Sequence, residues 1–221
     1  MADTRLAHCF SYHPRQSAKS AKIRVPFVAP QSTLLAPRLA CLLRQIPAII
    51  RAEGPWAIHA NQLRIGLGED SHRLAPGGPL RLGGVDVPHD RHAVGHSDAD
   101  VLLHAITDAL LGAAGLPDIG VLFPNTEEAN RGRDSADMLR LAYDRVTAAG
   151  YRLANLDAVV HAQRPKLSPY KAAIVDRVAA ILGVEPNQIN VKAKTGEGVG
   201  PVGQEELIEA RCMALLEKNE P

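Results

Sequence analysis

Asp70, His72 and His104 are side chains of types that bind metal ions. Asp70 and His72 are two residues apart at the end of a strand predicted from the alternation of LRIGLG, and in an extended chain both would project from the same side. His104 lies in a predicted helix. One carboxylate and two imidazoles suit Zn²⁺ and leave a fourth position for catalysis. Asp108 or Asp100, one helical turn from His104, is expected to hold its second ring nitrogen.

The segment GHSDAD, before the same helix, could bind a phosphate. Helix N-termini favour anions, and His96 and Ser97 could donate hydrogen bonds to phosphate oxygens. An ordinary N-cap at Ser97 or Asp98 is the alternative for this segment. A core histidine and a merely polar strand end are the alternative for the metal set. A different metal cluster could be drawn from His89, His92 and His96, although their spacing is irregular.

Two further segments follow predicted strands. In residues 192–197, KAKTGE, the Thr195 hydroxyl and the Glu197 carboxylate could hold a diphosphate together with Mg²⁺, which prefers few carboxylates plus substrate phosphates. In residues 163–166, QRPK, a rigid turn could cradle a base or sugar while Lys166 reaches a phosphate. A solvated polar turn is the alternative for 192–197. By themselves, these segments indicate a metal-assisted phosphate enzyme of unknown substrate.

The elements that position these residues mix strands and helices without regular βαβ alternation, which predicts an α+β fold in one domain. Residues 118–134 are expected to form a loop. Strands are predicted at 63–68, 151–163 and 188–194, a hairpin at 79–88 with a Gly83-Gly84 turn, and helices at 99–114, 135–149, 168–182 and, by propensity, 204–218.

Residues 1–62 differ in composition from the predicted domain, 63–221. They contain eight Lys or Arg and two Asp or Glu, as in a transit peptide or an over-extended gene start, and we expect them to be disordered. The net charge of +1 favours neither nucleic acid nor a membrane surface. No apolar run approaches the ~20 residues of a membrane span. We expect a soluble protein of a bacterial cytoplasm, or of a plastid if 1–62 is a transit peptide.

The order of motifs from about Leu63 to Lys218 resembles the 2-C-methyl-D-erythritol 2,4-cyclodiphosphate synthase family. The motifs are RIGLGEDSH, LGGVDVPHD, GHSDADVLLHAITDALLGAAGLPDIG, FPNT, LDAVVHAQRPK and NVKAKTGEGVG. The resemblance implies conversion of 4-diphosphocytidyl-2-C-methyl-D-erythritol 2-phosphate to the cyclic 2,4-diphosphate with release of CMP. It also implies a homotrimer, with three sheets around its axis, helices on one face of each sheet, and active sites at the subunit interfaces.

The resemblance implies a role for each matching residue. Asp70, His72 and His104 would bind Zn²⁺, and Glu197 would bind Mg²⁺ or Mn²⁺ on the substrate diphosphate. His96 and Thr195 match positions assigned to transition-state stabilisation. The substrate-binding positions implied are Asp70, His72, His96, Ser97, Asp118, Ile119, Gly120, Phe123, Asn125, Glu127, Ala162, Lys166, Ala193, Lys194, Thr195 and Glu197.

Some positions depart from the family pattern. Asn125 replaces a usual carboxylate and Lys194 a common threonine, while Glu69 and Gln204 replace an aromatic residue and an arginine at the trimer axis. The resemblance implies a strand at 203–217, against the helix that propensity favours. A metal-dependent phosphohydrolase and a non-catalytic trimeric module that binds cytidine nucleotides are the alternative functions.

Overall fold

The computed structural model describes residues 62–219, so the prediction of disorder for the N-terminal segment lies outside the described residues apart from position 62. The strands are β1 Leu63–Pro76, β2 Leu80–Leu82, β3 Val85–Val87, β4 Arg91–Val94, β5 Tyr151–His161, β6 Ile189–Lys194 and β7 Leu207–Lys218. The helices are α1 Val101–Ala114, α2 Ile119–Leu122, α3 Ser135–Ala148, α4 Lys171–Leu182 and α5 Gly200–Gly203, with 3₁₀ turns at Glu128–Asn130, Ser168–Tyr170 and Pro186–Gln188. Within the described part of the chain, no helix has both the length and the apolar character needed to cross a bilayer.

One five-stranded sheet, in the order β4-β1-β7-β5-β6, organises the fold. The pairs β1–β4, β1–β7 and β5–β7 are antiparallel, and β5–β6 is parallel. β2 and β3 form a separate hairpin whose turn is Gly83-Gly84, as the sequence predicts. The mixed sheet with helices confirms the predicted α+β class.

Helix α1 lies unusually close to β1 because two glycines face it. A Cβ on Gly66 would lie 2.0 Å from the Ala109 carbonyl oxygen, and one on Gly68 would lie 2.1 Å from that of Ala105. Since no side chain fits in that space, the alternating glycines of β1 let the helix backbone approach the strand. This contact places His104 of α1 above the part of β1 that carries the metal-type side chains.

Asp100, and not Ser97 or Asp98, is the N-cap of α1. Its Oδ1 accepts a hydrogen bond from Leu103 N at 3.1 Å. The buried carboxylate also accepts from Gly83 N at 2.9 Å and Gly84 N at 2.7 Å. One carboxylate therefore caps the helix and attaches the β2–β3 hairpin to it, and the predicted anion-binding segment, residues 95–100, ends at this cap.

Several predicted boundaries are wrong. The segment that propensity assigns to a helix is β7, a central strand between β1 and β5, as the resemblance implies; its predicted start is wrong because 200–203 is the short helix α5. Every second side chain of β7 is buried, which is the period of a strand, and that packing outweighs intrinsic helix preference. The expected loop 118–134 contains α2 and a 3₁₀ turn, and β4 was missed.

The helices cover one face of the sheet, as predicted. On the opposite face, Ile65, Leu67 and Met213 are exposed by 65%, 62% and 49%. Leu67 pairs with Met213 across β1 and β7, so these side chains form one apolar patch, here called the outer face.

Candidate metal centre and active site

Asp70, His72 and His104 converge over the middle of β1, which continues to Pro76, well beyond the predicted strand 63–68. Asp70 Oδ2 lies 3.0 Å from His72 Nε2 and 3.0 Å from His104 Nδ1, and the two nitrogens are 3.1 Å apart. Because successive side chains of a strand alternate between its faces, Asp70 and His72 lie on the same face of β1. The close approach of α1 to Gly66 and Gly68 places His104 above them. These are the only residues in 62–219 whose arrangement could hold a metal through three such side chains.

The donor atoms fit a small divalent cation. In a tetrahedral site with bonds of about 2.0–2.1 Å, ligand atoms are roughly 3.3 Å apart, close to the observed spacing. Burial opposes ionisation of Asp70, but hydrogen bonds from the His104 and His72 rings, when these are protonated, hold the pKa of its carboxyl well below its usual range. Burial also opposes protonation of His72, yet the hydrogen bond and charge of Asp70 raise the His72 pKa. The triad therefore has an electrostatic preference for positive charge at its centre.

The ring of His72 is oriented by the backbone of β4. Its Nδ1 lies 3.0 Å from the carbonyl oxygen of Val94, which can only accept, so Nδ1 carries the hydrogen. In the neutral ring, which is the form that binds a metal, the lone pair is then on Nε2, the atom that faces Asp70. The strand β4, which was not predicted from the sequence, therefore orients the His72 ring so that Nε2 is the atom available to a metal.

The predicted partner of the second His104 nitrogen is wrong. His104 Nε2 lies 2.9 Å from Ser135 Oγ and 3.1 Å from Ser97 Oγ. Asp108 instead accepts a hydrogen bond from Ile119 N at 2.8 Å, at the start of α2, and Asp100 is the helix cap described above. Asp100 and Asp108 do lie one helical turn on either side of His104, as predicted. Each carboxylate instead accepts hydrogen bonds from backbone N–H groups, so neither contacts the His104 ring.

A cavity of about 190 Å³ opens at the triad. It brings together most of the residues assigned to the metal, phosphate and sugar contacts. His96 Nε2 is buried and has no hydrogen-bond partner among the described residues. The cavity also involves Asn130 and Met138, which sequence reasoning missed because neither has metal-type chemistry. Its lining residues are Asp70, His72, His96, Ser97, His104, Ile119, Gly120, Phe123, Asn125, Asn130 and Met138.

Two predicted substrate contacts lie beside this cavity without lining it. Asp118 caps α2, where its Oδ1 accepts from Val121 N at 3.0 Å. Glu127 is exposed at the start of the 3₁₀ turn that follows.

A second cavity, of about 620 Å³, lies between the ends of β5 and β6 and includes the predicted base-binding segments. Within the part of the chain described, it shares no lining residue with the cavity at the triad. Thr195 also donates a hydrogen bond to Glu197, next to this cavity. The lining residues are His89, Ala162, Gln163, Arg164, Pro165, Lys166, Leu167, Ser168, Ala193, Lys194 and Thr195.

The alternative histidine cluster does not form. His92 Nδ1 contacts the carbonyl oxygen of Gly77 at 3.0 Å, and His89 Nδ1 lies 3.2 Å from Asp90 Oδ1. His96 lines the cavity at the triad, whereas His89 lines the second cavity.

Comparison with known proteins identifies the family. A model of the YgbB family matches residues 63–217, the whole region that contains both cavities. The chain belongs to the YgbB family. A 2-C-methyl-D-erythritol 2,4-cyclodiphosphate synthase of Gemmatimonas aurantiaca is 56% identical over 144 residues, 65% of this chain and 87% of that protein. One of Rhodopirellula baltica is 56% identical over 155 residues, 70% of this chain and 93% of that protein.

Solved structures of the YgbB fold agree with this assignment. A 2C-methyl-D-erythritol-2,4-cyclodiphosphate synthase solved in a CDP-bound form is 44% identical, with a TM-score of 0.65 over 70% of this chain and 100% of its own. A Plasmodium falciparum protein solved as a CDP complex is 36% identical, with a TM-score of 0.64 over 72% and 99%.

Proposed function

We propose that this chain converts 4-diphosphocytidyl-2-C-methyl-D-erythritol 2-phosphate to 2-C-methyl-D-erythritol 2,4-cyclodiphosphate, with release of CMP, in non-mevalonate isoprenoid biosynthesis. The observation that carries this proposal is the Asp70, His72 and His104 triad in a cavity with phosphate-type donors, in a chain 56% identical to synthases of that name. The reaction is an intramolecular phosphoryl transfer.

The triad is proposed to hold Zn²⁺, which two imidazoles and one carboxylate suit. When bound, the ion supplies positive charge that orients a phosphate and offsets its negative charge. His96 and Ser97 line the same cavity, and the unpartnered His96 Nε2 is available to a phosphate oxygen. Asp118, Ile119, Gly120, Phe123, Asn125 and Glu127 are proposed to meet the methylerythritol hydroxyls.

The protein's work in this step is orientation. An oxygen of the 2-phosphate attacks the β-phosphorus, a new P–O bond closes the ring, and the bond from that phosphorus to the bridging oxygen breaks as CMP leaves with the electron pair. No proton transfer to carbon and no redox change is needed. Holding nucleophile and diphosphate in line is therefore the main contribution, together with stabilisation of charge by His96 and Thr195.

The second cavity is proposed to hold the cytidine. Its volume suits a nucleoside, and two structural neighbours are described as CDP complexes. Ala162, Lys166, Ala193 and Lys194 would contact the nucleotide. Glu197, next to Thr195, would bind Mg²⁺ or Mn²⁺ on the diphosphate.

A homotrimer would bring the two cavities together. One substrate must reach both the metal and the cytidine cavity, yet these share no lining residue in the described part of one chain. The outer face exposes apolar side chains of the kind that pair in stable interfaces. We propose that three sheets pack through their outer faces, so that the triad of one subunit meets the cytidine cavity of its neighbour.

Product analysis tests the reaction. The purified protein is incubated with the substrate, Zn²⁺ and Mg²⁺, and followed by ³¹P NMR. Cyclisation gives CMP and a product whose two phosphorus atoms couple through a shared oxygen. A phosphohydrolase would give CMP and two uncoupled monoester signals, whereas a binding module would bind CDP without turnover. Either of those outcomes rejects the synthase.

Residues 63–221 are proposed to form the enzyme domain, preceded by a basic N-terminal extension. We place the protein in a bacterial cytoplasm, with a plastid as the alternative if 1–62 is a transit peptide. Mass spectrometry of the N-terminus of the native protein tests the location, because import into a plastid would remove most of this segment.

A further inference from the structure

The side of His104 that faces away from the triad is held by a hydrogen-bonded pair from two other segments, Asp98 and Ser135. Ser135 is the first residue of α3 and is fully buried, and its Oγ lies 2.9 Å from His104 Nε2. The Ser135 hydroxyl donates to Asp98 Oδ1, and Ser135 N donates to Asp98 Oδ2 at 3.3 Å. No sequence spacing indicates this contact, since Ser135 is 31 positions from His104.

The direction of the hydrogen bonds follows from Asp98. Arg81 Nε lies 3.8 Å from Asp98 Oδ2, and Asp100 N donates to Asp98 Oδ1 at 3.4 Å, so the carboxylate is surrounded by donors. It therefore acts as an acceptor for the Ser135 hydroxyl. That hydroxyl has a single hydrogen, so Ser135 Oγ can only accept from His104 Nε2.

We propose that the Asp98–Ser135 pair is a positioning pair that selects the Nε2–H tautomer of His104 and so keeps the Nδ1 lone pair directed at Asp70 and His72. This inference rests on the metal site of the proposed function. A metal-bound histidine generally has a hydrogen-bond acceptor on its other nitrogen. Here the Ser135 hydroxyl is that acceptor, because its own hydrogen is donated to the Asp98 carboxylate. If the hydroxyl faced the other way, the ring hydrogen would lie on Nδ1 and occupy the metal position.

The same assignment leaves Ser97 free for the substrate. Ser97 Oγ accepts from Ala99 N at 3.1 Å and lies 3.1 Å from His104 Nε2. Since His104 carries the hydrogen, the Ser97 hydroxyl need not donate to the ring and can donate to a phosphate oxygen in the cavity. Ser97 and Ser135 contact the same nitrogen but have different tasks.

The test measures zinc binding, without turnover. Zinc affinity is determined by competition with a chelator for the full chain and for Ser135→Ala, Asp98→Ala, Ser97→Ala and Thr147→Ala. Loss of an outer hydrogen-bond partner typically weakens metal binding by about 10–100-fold, and this loss is expected for Ser135→Ala and Asp98→Ala. Thr147→Ala is the control, since it removes an exposed hydroxyl from the other end of α3. It and Ser97→Ala are expected to bind zinc as the unmodified chain does.

A spectroscopic measurement separates positioning from a packing effect. In the zinc-loaded protein labelled with ¹⁵N-histidine, His104 should show a metal-bound Nδ1 and a slowly exchanging Nε2 hydrogen. That hydrogen should exchange faster in Ser135→Ala. Unchanged affinity and exchange in Ser135→Ala, or an equal loss in Ser97→Ala, would overturn the positioning pair. Failure of the unmodified chain to bind zinc would instead reject the metal triad.

Discussion

At the scale of the residue, Asp70 and its neighbour Glu69 show how the face of a strand decides function. Asp70 points to α1 and the imidazoles, whereas Glu69 lies on the other face, 3.2 Å from Arg211. We predict that Asp70→Asn lowers CMP release by more than about 100-fold, because a neutral amide loses the charge that attracts the ion, and direct ligands matter more than outer partners. Stopped assays of CMP measure it.

The matched control is Glu69→Gln, which makes the same chemical change one residue away. It should keep its zinc content, because its carboxylate faces away from the triad. Equal loss of zinc in both variants would contradict the assignment of Asp70.

Glu197 is predicted to act on a different ion. We expect Glu197→Gln to raise the Mg²⁺ concentration for half-maximal rate by about tenfold, because Mg²⁺ depends on few carboxylates. Zinc content should not change. Glu128→Gln, at an exposed ion pair with Arg131, is the control. A Mg²⁺ titration identical to that of the unmodified chain would show that Glu197 holds no ion.

Cys212 illustrates a residue whose chemistry is suppressed by its element. It lies on the buried face of β7, and burial raises the pKa of its thiol to about 12. The thiolate is the reactive form, so iodoacetamide at pH 8.5 should leave Cys212 unmodified in the folded protein and modify it in denaturant. Peptide mass spectrometry reads the result. Modification at equal rates in both states would contradict burial of this face.

At the scale of the element, the contact between β1 and α1 is the most sensitive part of the fold. A Cβ on Gly68 would meet backbone atoms of α1, which cannot rotate away. We expect Gly68→Ala to lower the free energy of unfolding by about 2–3 kcal/mol, as overpacking does. Because His104 is on α1, zinc affinity should fall as well. Denaturant melts and chelator competition measure the two effects.

Gly112→Ala is the matched control for Gly68→Ala. Gly112 is in α1 and has open space around its position, so alanine should stabilise the helix by about 0.5–1 kcal/mol. If both variants were equally stable, the close approach of strand and helix would be wrong.

Local sequence patterns predicted the two elements that carry the triad. The alternation of LRIGLG indicated the strand β1, and the apolar face of residues 99–114 indicated the helix α1. Two features could not be obtained in this way. β7 consists of strong helix formers and becomes a strand only because it lies between β1 and β5. The contact of His104 with Ser135 joins separate segments, so no spacing within α1 reveals it.

At the scale of the whole molecule, the two cavities share no lining residue in the described part of the chain, so we predict that the proposed trimer is required for catalysis. If subunits meet through the outer face, a charge placed there should break the trimer without disturbing the triad. We predict that Leu67→Glu gives smaller species by light scattering after size exclusion, because three buried carboxylates near the axis would repel each other. CMP release should fall in proportion to the trimer lost, while one zinc per chain remains, since all three ligands belong to one subunit. Ala180→Glu, an exposed position on α4, should leave both assembly and turnover unchanged. A monomeric Leu67→Glu protein with full activity would mean that one chain holds the entire substrate, and the interfacial active site would have to be abandoned.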